Sequence, residues 1–265
     1  MRRERLRFNH WRNPVLAGMV ALILVVSLFA IRGVTPFGDR NLLIGDLGTQ
    51  YIPFFTDFTR LVRGHAWDLF NFHQALGTSW VPTIAYYLLS PFNLLLIFFK
   101  AGQMPIAMAV IIMLKIATIA GTMTFYLQEH WRTQQLFTGV FGLAFAFSGF
   151  VALNFFNLMW LDALIFLPLV AWGIDRLVIT GRTGGYFCWL LVSVLTDYYL
   201  GYMTCLFIVA YFVYMLTAEW PAGQSVRAWF QTKRHLCYRF IGASLLSVGS
   251  CLLYTSPSPR DPKTS

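Results

Sequence analysis

Long apolar runs separated by short polar intervals dominate the chain. The first run, Pro14 to Ile31, carries no charge and approaches the ~20 residues that a helix needs to cross ~30 Å of hydrocarbon at ~1.5 Å per residue. Further apolar segments lie near residues 80–99, 104–127, 136–153, 163–179, 186–217 and 240–253. The pattern predicts an all-α, polytopic transmembrane helix bundle with about seven spanning segments.

The segment 186–217 is too long for one ordinary crossing of ~20 residues. It contains the sequence TDYYLGY, Thr196 to Tyr202. A single tilted helix is one interpretation. We favour a break or re-entrant turn at this motif, because Asp197 and Gly201 bring polar groups that need partners other than lipid.

Composition strengthens the membrane interpretation, since 57% of residues are hydrophobic, 17% aromatic and only 12% charged. The net charge of +9 does not indicate nucleic-acid binding, because the basic residues flank apolar segments. Their positions indicate the orientation of the chain in the membrane, and attraction to anionic lipid is a secondary effect. A cytoplasmic basic amino terminus, residues 1–13, would then place the loop 32–79 outside. The basic residues form two clusters. The first is Arg2, Arg3, Arg5, Arg7 and Arg12, and the second is Arg227, Lys233, Arg234 and Arg239.

The two ends of the chain need separate interpretation. The first span is longer than the apolar core of a signal peptide and no small-residue cleavage site follows it, which favours a signal anchor over a cleaved peptide. Residues 254–265, YTSPSPRDPKTS, change composition abruptly. They are either a disordered polar terminus or, as we prefer, a non-native adaptor-like tail. In the second case residues 14–253 would be an incomplete transmembrane module, inactive alone.

The external loop contains GDLGTQYIPFF, in which Asp46 lies between two glycines. The residues that follow predict an interfacial amphipathic helix, with Pro53 in its first turn and Gly64 at its end. Asp46 would thus lie at the water–lipid boundary, although it could equally cap the helix or close a glycine-rich turn. The predicted apolar face is Tyr51, Phe54, Phe55, Phe58 and Val62, and the polar face is Thr56, Asp57, Thr59, Arg60 and Arg63.

Three ionisable residues lie in or beside apolar segments, where a charge costs ~3 kcal/mol or more. Lys115 could neutralise a donor phosphate or pair with a buried carboxylate such as Asp197. Asp197 could line a sugar cavity beside Tyr198 and Tyr199, or act structurally at a helix break. Asp162 begins a span, which favours helix capping over catalysis. The histidines and cysteines show no metal-ligand spacing.

Four ordered blocks resemble the bacterial YfhO family of multispanning membrane proteins. The blocks are GDLGTQYIPFF, AYYLLSPFNLLL from Ala85, NLMWLDALIFLPLVAWGIDRL from Asn157, and DYYLGYM from Asp197. The resemblance covers about residues 14 to 250 and implies a location in the bacterial cell membrane. Family members are similar to the GT-C glycosyltransferase superfamily, which implies a GT-C-like bundle.

The resemblance also implies an activity. A GT-C-type enzyme would transfer a sugar from a polyprenyl-phosphate donor to an extracytoplasmic cell-envelope acceptor such as (lipo)teichoic acid. Asp46 matches the acidic residue of the first external loop and would act as general base. Asp39 is a weaker candidate for substrate or metal contact. A divalent metal would help the phosphate to leave, and no nucleotide cofactor is expected.

Two other classes of function use the same residues differently. A transporter or flippase for lipid-linked sugars or polysaccharides would use Lys115 and the break at Asp197 as a translocation site, without needing Asp46. A noncatalytic envelope-assembly protein would need none of these residues.

Overall fold

The fold is a bundle of long apolar helices, as expected for a multi-pass membrane protein. The structure is a computed structural model that describes residues 10–64, 70–71, 77–218 and 225–255. Within these ranges, five helical segments are long and apolar enough to cross a membrane. They are Arg12–Ile31, Ala101–Trp131, Phe137–Asn154, Leu158–Thr180 and Tyr198–Thr217.

The first third of the chain contains one spanning helix and then a run of short elements. Helix α1 is Arg12–Ile31. A π-helical turn, Leu47–Tyr51, leads into α2, Ile52–Gly64. Two short strands then pair antiparallel, β1 (Phe70–Asn71) with β2 (Thr78–Ser79). The last elements before the next long helix are α3 (Trp80–Thr83), a π-helical turn Ile84–Leu88, and 3₁₀ helices Pro91–Phe98 and Ala101–Gln103.

The predicted span at residues 80–99 is therefore wrong. That segment is divided into a four-residue helix, a π-helical turn and a 3₁₀ helix. Pro91 supplies the physical reason, because a proline has no backbone N–H and excludes the helical conformation for the residue before it. Ser90 accordingly has extended backbone, with φ −62° and ψ 130°.

The remaining chain is almost entirely helical. It comprises α4 (Met104–Trp131), α5 (Phe137–Ala146), α6 (Gly149–Asn154), α7 (Leu158–Thr180), α8 (Gly184–Thr196), α9 (Tyr198–Thr217) and α10 (Val226–Thr255). The break predicted within 186–217 is confirmed, since α8 ends and α9 begins on either side of Asp197. Residues 256–265, which make up most of the predicted non-native tail, lie outside the described residues.

Contacts between distant residues define the two ends of the bundle. Asn13 at the start of α1 donates from Nδ2 to the Gln134 carbonyl beyond α4 at 2.8 Å, so α1 and α4 run antiparallel. We call this the basic end. Tyr51, after α1, lies against the start of α7 at Met159. We call this opposite end, where residues 32–103 connect α1 to α4, the loop end.

Small residues allow the helices to approach closely, as is common in membrane bundles. A Cβ placed on Gly173 of α7 would lie 2.6 Å from the Tyr186 Cα of α8. One placed on Gly142 of α5 would lie 2.6 Å from the Ala120 carbonyl oxygen of α4. Helix α4 lies between α1, α5 and α7 and contains the fully buried Ile111. It therefore forms the centre of the bundle.

Candidate functional site

The predicted amphipathic helix is present as α2, with Pro53 in its first turn and Gly64 at its end. Tyr51 and Phe55 point into the protein and are 1% and 0% exposed. Thr59 continues this buried row at 2% exposure, so its assignment to the polar face was wrong. The row follows the i, i+4 spacing of a helix. The Thr59 hydroxyl satisfies its hydrogen bond locally, by donating to the Thr56 carbonyl at 2.8 Å.

Asp46 lies in the turn immediately before this helical segment. Gly45 allows the turn with φ +51°, a conformation that glycine adopts without steric cost. The half-buried Asp46 side chain makes no capping hydrogen bond, so the capping alternative is wrong. Gln50 Nε2 donates to Asp46 Oδ1 at 3.1 Å, and the Tyr87 hydroxyl donates to Gln50 Oε1 at 2.5 Å. This chain of hydrogen bonds holds the carboxylate in one orientation.

Tyr86 connects Asp46 with the helix break. Its ring centroid lies 4.7 Å from that of Tyr87 and 5.4 Å from that of Tyr198. Burial raises the pKa of Tyr86, and the nearby Tyr198, Asp197 and Asp46 raise that pKa further. Tyr86 therefore lies within electrostatic range of both carboxylates, and its hydroxyl stays protonated at neutral pH.

Asp197 has two different carboxylate oxygens. Its backbone is extended, with φ −156° and ψ 103°. Oδ1 accepts hydrogen bonds from the backbone N–H groups of Tyr199 and Leu200 at 2.9 and 3.1 Å, which caps α9. Oδ2 is buried and has no hydrogen-bond partner among the described residues. One oxygen thus serves the fold, and the other is a buried polar atom without a partner in the described residues, which is uncommon in folded proteins.

Lys115 and Asp162 form a buried ion pair deeper in the bundle. Nζ lies 2.7 Å from Asp162 Oδ2, and both side chains are 0% exposed. Nζ also donates to the Leu158 carbonyl at 2.8 Å. The prediction that Lys115 pairs with a buried carboxylate is therefore confirmed, but the partner is Asp162 and not Asp197. The capping role predicted for Asp162 is wrong, because its carboxylate points across to α4.

The other predicted residues are Tyr198, Tyr199 and Asp39, and all three are exposed. Tyr198 is 59% exposed and Tyr199 is 47% exposed. Tyr199 stacks on Trp160 with centroids 6.3 Å apart. Asp39 is exposed in the turn that follows α1, and no contact joins it to Asp46 in the described part of the chain.

Sequence reasoning missed Gln50, Tyr86 and Tyr87 as site residues. Gln50 follows Asp46 by four positions, which places the two side chains on one helical face. The tyrosine pair stands inside the block AYYLLSPFNLLL. Both signals were present, but only the fold shows that these segments meet.

A metal site is not evident in residues 10–64, 70–71, 77–218 and 225–255. No group of three or more His, Cys, Asp or Glu side chains in these ranges is placed to hold a metal ion. The cluster at the loop end instead offers carboxylates, tyrosine hydroxyls and aromatic faces. These groups can accept protons, bind sugar hydroxyls and stack against a sugar ring.

Comparison with known proteins gives one match. The family model described as bacterial membrane protein YfhO matches residues 17–258. No curated protein and no solved structure matches the chain.

Proposed function

The chain belongs to the YfhO family of bacterial membrane proteins, and from this premise we propose that it functions as a membrane glycosyltransferase. The donor is a sugar linked to polyprenyl phosphate, and the acceptor is an extracytoplasmic cell-envelope polymer such as (lipo)teichoic acid. The observation that carries the proposal is a continuous series of side-chain contacts at the loop end. It runs from Asp46 through Gln50, Tyr87 and Tyr86 to Tyr198, the residue after Asp197. This end faces the outside of the bacterial cell membrane if the basic end is cytoplasmic.

Asp46 is the general base in the proposed reaction. An acceptor hydroxyl oxygen attacks the anomeric carbon, and its proton passes to the Asp46 carboxylate. The bond between the anomeric carbon and the phosphate oxygen breaks, and the lipid phosphate leaves as an anion. Gln50 keeps one Asp46 oxygen oriented at 3.1 Å, which fixes the base before substrate arrives.

Asp197 and the tyrosines bind the sugar in this proposal. The unpartnered Oδ2 of Asp197 accepts a hydrogen bond from a sugar hydroxyl, which satisfies a buried polar atom that is otherwise costly. The exposed ring of Tyr198 packs beside Tyr86 and offers an aromatic face to the sugar or prenyl chain. Lys115 supports the site through its ion pair with Asp162, since its fully buried Nζ is held by that carboxylate and by the Leu158 carbonyl.

The test is Asp46→Asn in the complete gene product, scored by the sugar content of the envelope polymer. Loss of a general base costs about 10²–10⁴-fold in rate, so sugar should fall strongly while protein abundance stays normal. The matched control is Asp57→Asn on α2, a carboxylate that lies 3.6 Å from Arg60 and has no proposed role. It should leave glycosylation unchanged. Unchanged glycosylation with Asp46→Asn would refute the catalytic role.

One observation favours a second candidate, a transporter of lipid-linked sugars. Asp197 combines a break between two membrane helices with an unpartnered carboxylate oxygen, an arrangement used at transporter binding sites. Purified protein in vesicles decides between the two. Movement of donor lipid across the bilayer without sugar transfer, together with full function of Asp46→Asn, would establish the transporter.

A further inference from the structure

A cluster of arginines surrounds a cavity at the basic end, opposite the candidate active site. Arg176 at the end of α7, Arg182 in the following turn and Arg239 of α10 line this cavity of about 720 Å³. The turn between them is rich in glycine, so its backbone leaves room beside the guanidinium groups. Three positive charges therefore converge on one open space.

These arginines make few polar contacts with the described part of the protein. Within the described ranges, no salt bridge joins any of the three to a carboxylate. Arg176 lies over the Trp172 ring at 5.1 Å, and Arg239 donates from Nη1 to the Gly181 carbonyl at 2.6 Å. These contacts position two guanidinium groups and leave most of their N–H donors available, which suits a phosphate.

An apolar groove adjoins this cavity. Its volume is about 690 Å³, and Trp172 and Arg176 belong to the walls of both spaces. The groove runs between α1, α4 and α7, from Trp11 to Leu22 along α1. At ~1.5 Å per residue this is about 16 Å, close to the thickness of one leaflet of a ~30 Å hydrocarbon core.

One carboxylate, Glu129, lies in the groove wall on the α4 side. Its Oε2 accepts a hydrogen bond from Trp172 Nε1 at 3.2 Å, and its Oε1 lies 3.5 Å from His10 Nδ1. Asp175, one residue before Arg176, is occupied by His130 at 2.7 Å and by the Tyr211 hydroxyl at 2.6 Å. Both acids have other partners, and neither lines the arginine cavity, although both line a smaller adjoining space with Arg176.

We propose that the cavity and the groove form one binding site for an anionic phospholipid. The phosphate binds Arg176, Arg182 and Arg239, and one acyl chain lies in the groove between α1, α4 and α7. The combination selects a lipid over a soluble phosphate, because only a lipid fills the charged and the apolar spaces together. This site is separate from the sugar-transfer site and does not depend on the proposed function.

The test measures quenching of tryptophan fluorescence in detergent-solubilised protein by phosphatidylglycerol with brominated acyl chains. Trp11, Trp172 and Trp189 line the groove, so a lipid bound there quenches them. The variant Arg176→Gln/Arg182→Gln should raise the half-saturating lipid fraction about tenfold or more, since each charge-assisted contact is strong. It leaves the Arg239–Gly181 hydrogen bond intact.

Matched variants make each outcome decisive. Arg227→Gln/Arg234→Gln removes the same charge from α10 outside the cavity and should change the half-saturating fraction less than twofold. Equal weakening by both double variants would reduce the site to general electrostatic attraction and overturn the proposal. Thr122→Phe fills the groove without touching an arginine and should also weaken quenching. Two results together would show a site for free phosphate instead. Inorganic phosphate would displace the lipid, and Thr122→Phe would leave the quenching undiminished.

Discussion

The buried ion pair between Lys115 and Asp162 holds the helices around the candidate site together. Nζ and Oδ2 are 2.7 Å apart with no exposed side-chain surface on either residue. Removing one partner from such a pair leaves an uncompensated buried charge and typically costs about 3–5 kcal/mol. Replacing both with apolar residues removes that penalty. The contribution of the pair to protein stability can therefore be tested separately from any role in activity.

We predict that Lys115→Met and Asp162→Leu each lower the thermal unfolding temperature strongly, and that the double variant is more stable than either single variant. Fluorescence-monitored unfolding of the detergent-solubilised protein measures this. If the effects of the two substitutions simply add, the residues do not depend on one another and the pairing is incorrect. The double variant also separates functions, because a fold-supporting pair should be replaceable with sugar transfer retained.

At the residue scale, the sequence identified the ionisable residues in apolar segments but not the groups that they contact. Lys115 and Asp197 stood out because ionisable groups in apolar segments are costly. Their partners depend on the rotation and depth of each helix, which the apolar pattern of a nearly uniformly hydrophobic helix does not define. Asp162 therefore pairs with Lys115, while Asp197 turns to the backbone of α9.

The break between α8 and α9 depends on one side chain at the element scale. Asp197 Oδ1 accepts hydrogen bonds from the backbone N–H groups of Tyr199 and Leu200. These groups lie in the first turn of α9, where no preceding turn supplies a carbonyl acceptor. We predict that Asp197→Ala destabilises the protein by about 0.5–2 kcal/mol, whereas Asp197→Ser keeps the cap and most of the stability. Equal stability of the two variants in thermal unfolding would contradict the capping role. Asp197→Asn keeps the cap without the charge, and it isolates the role in sugar binding.

Close contact between α7 and α8 places the helix that leads to this break. A Cβ on Gly173 would meet the Tyr186 backbone at 2.6 Å, and backbone cannot rotate away as a side chain can. We predict that Gly173→Ala costs about 1–3 kcal/mol through overpacking, despite the better helix propensity of alanine. Gly149→Ala is the control, since nothing lies within 4 Å of its Cβ position. Unfolding temperatures that fall equally in both variants would refute the close approach.

The apolar pattern predicted spanning helices correctly only where the segment was long and uninterrupted. The runs that became α1, α4 and α7 were recognisable because their lengths match a bilayer crossing. The segment 80–99 is also mostly apolar, yet Pro91 and the extended Ser90 before it divide the segment into short turns. Hydrophobicity indicates burial or lipid contact, but local backbone chemistry decides whether a spanning helix forms.

Across the whole molecule, the two proposed sites lie at opposite ends of one bundle. The carboxylates and tyrosines gather at the loop end, and the unpaired arginines gather where α7, α8 and α10 meet at the basic end. The sequence predicted this polarity from the basic clusters. It did not predict the arginine cavity, because Arg239 on α10 is far along the chain from Arg176 and Arg182 and meets them only through helix packing.

The polarity of the bundle gives a prediction about the orientation of the protein in the cell membrane. Asp39 is exposed in the turn beyond α1 at the loop end, and Thr133 follows α4 at the basic end. In a background with all four native cysteines replaced by serine, Asp39→Cys should react with a membrane-impermeant maleimide in intact cells. Thr133→Cys should react only after permeabilisation, because positive flanking charges keep the basic end cytoplasmic.

The reverse labelling pattern would place Asp46 in the cytoplasm, where an extracytoplasmic acceptor cannot reach it, and would refute sugar transfer at the outer face. Reaction of both cysteines from the same side would contradict the bundle itself, since α4 separates the two positions by one crossing. The expected pattern places the carboxylate site outside. It also places the arginine cavity beside the inner leaflet, where anionic lipid headgroups give the negative surface potential that three unpaired guanidinium groups require.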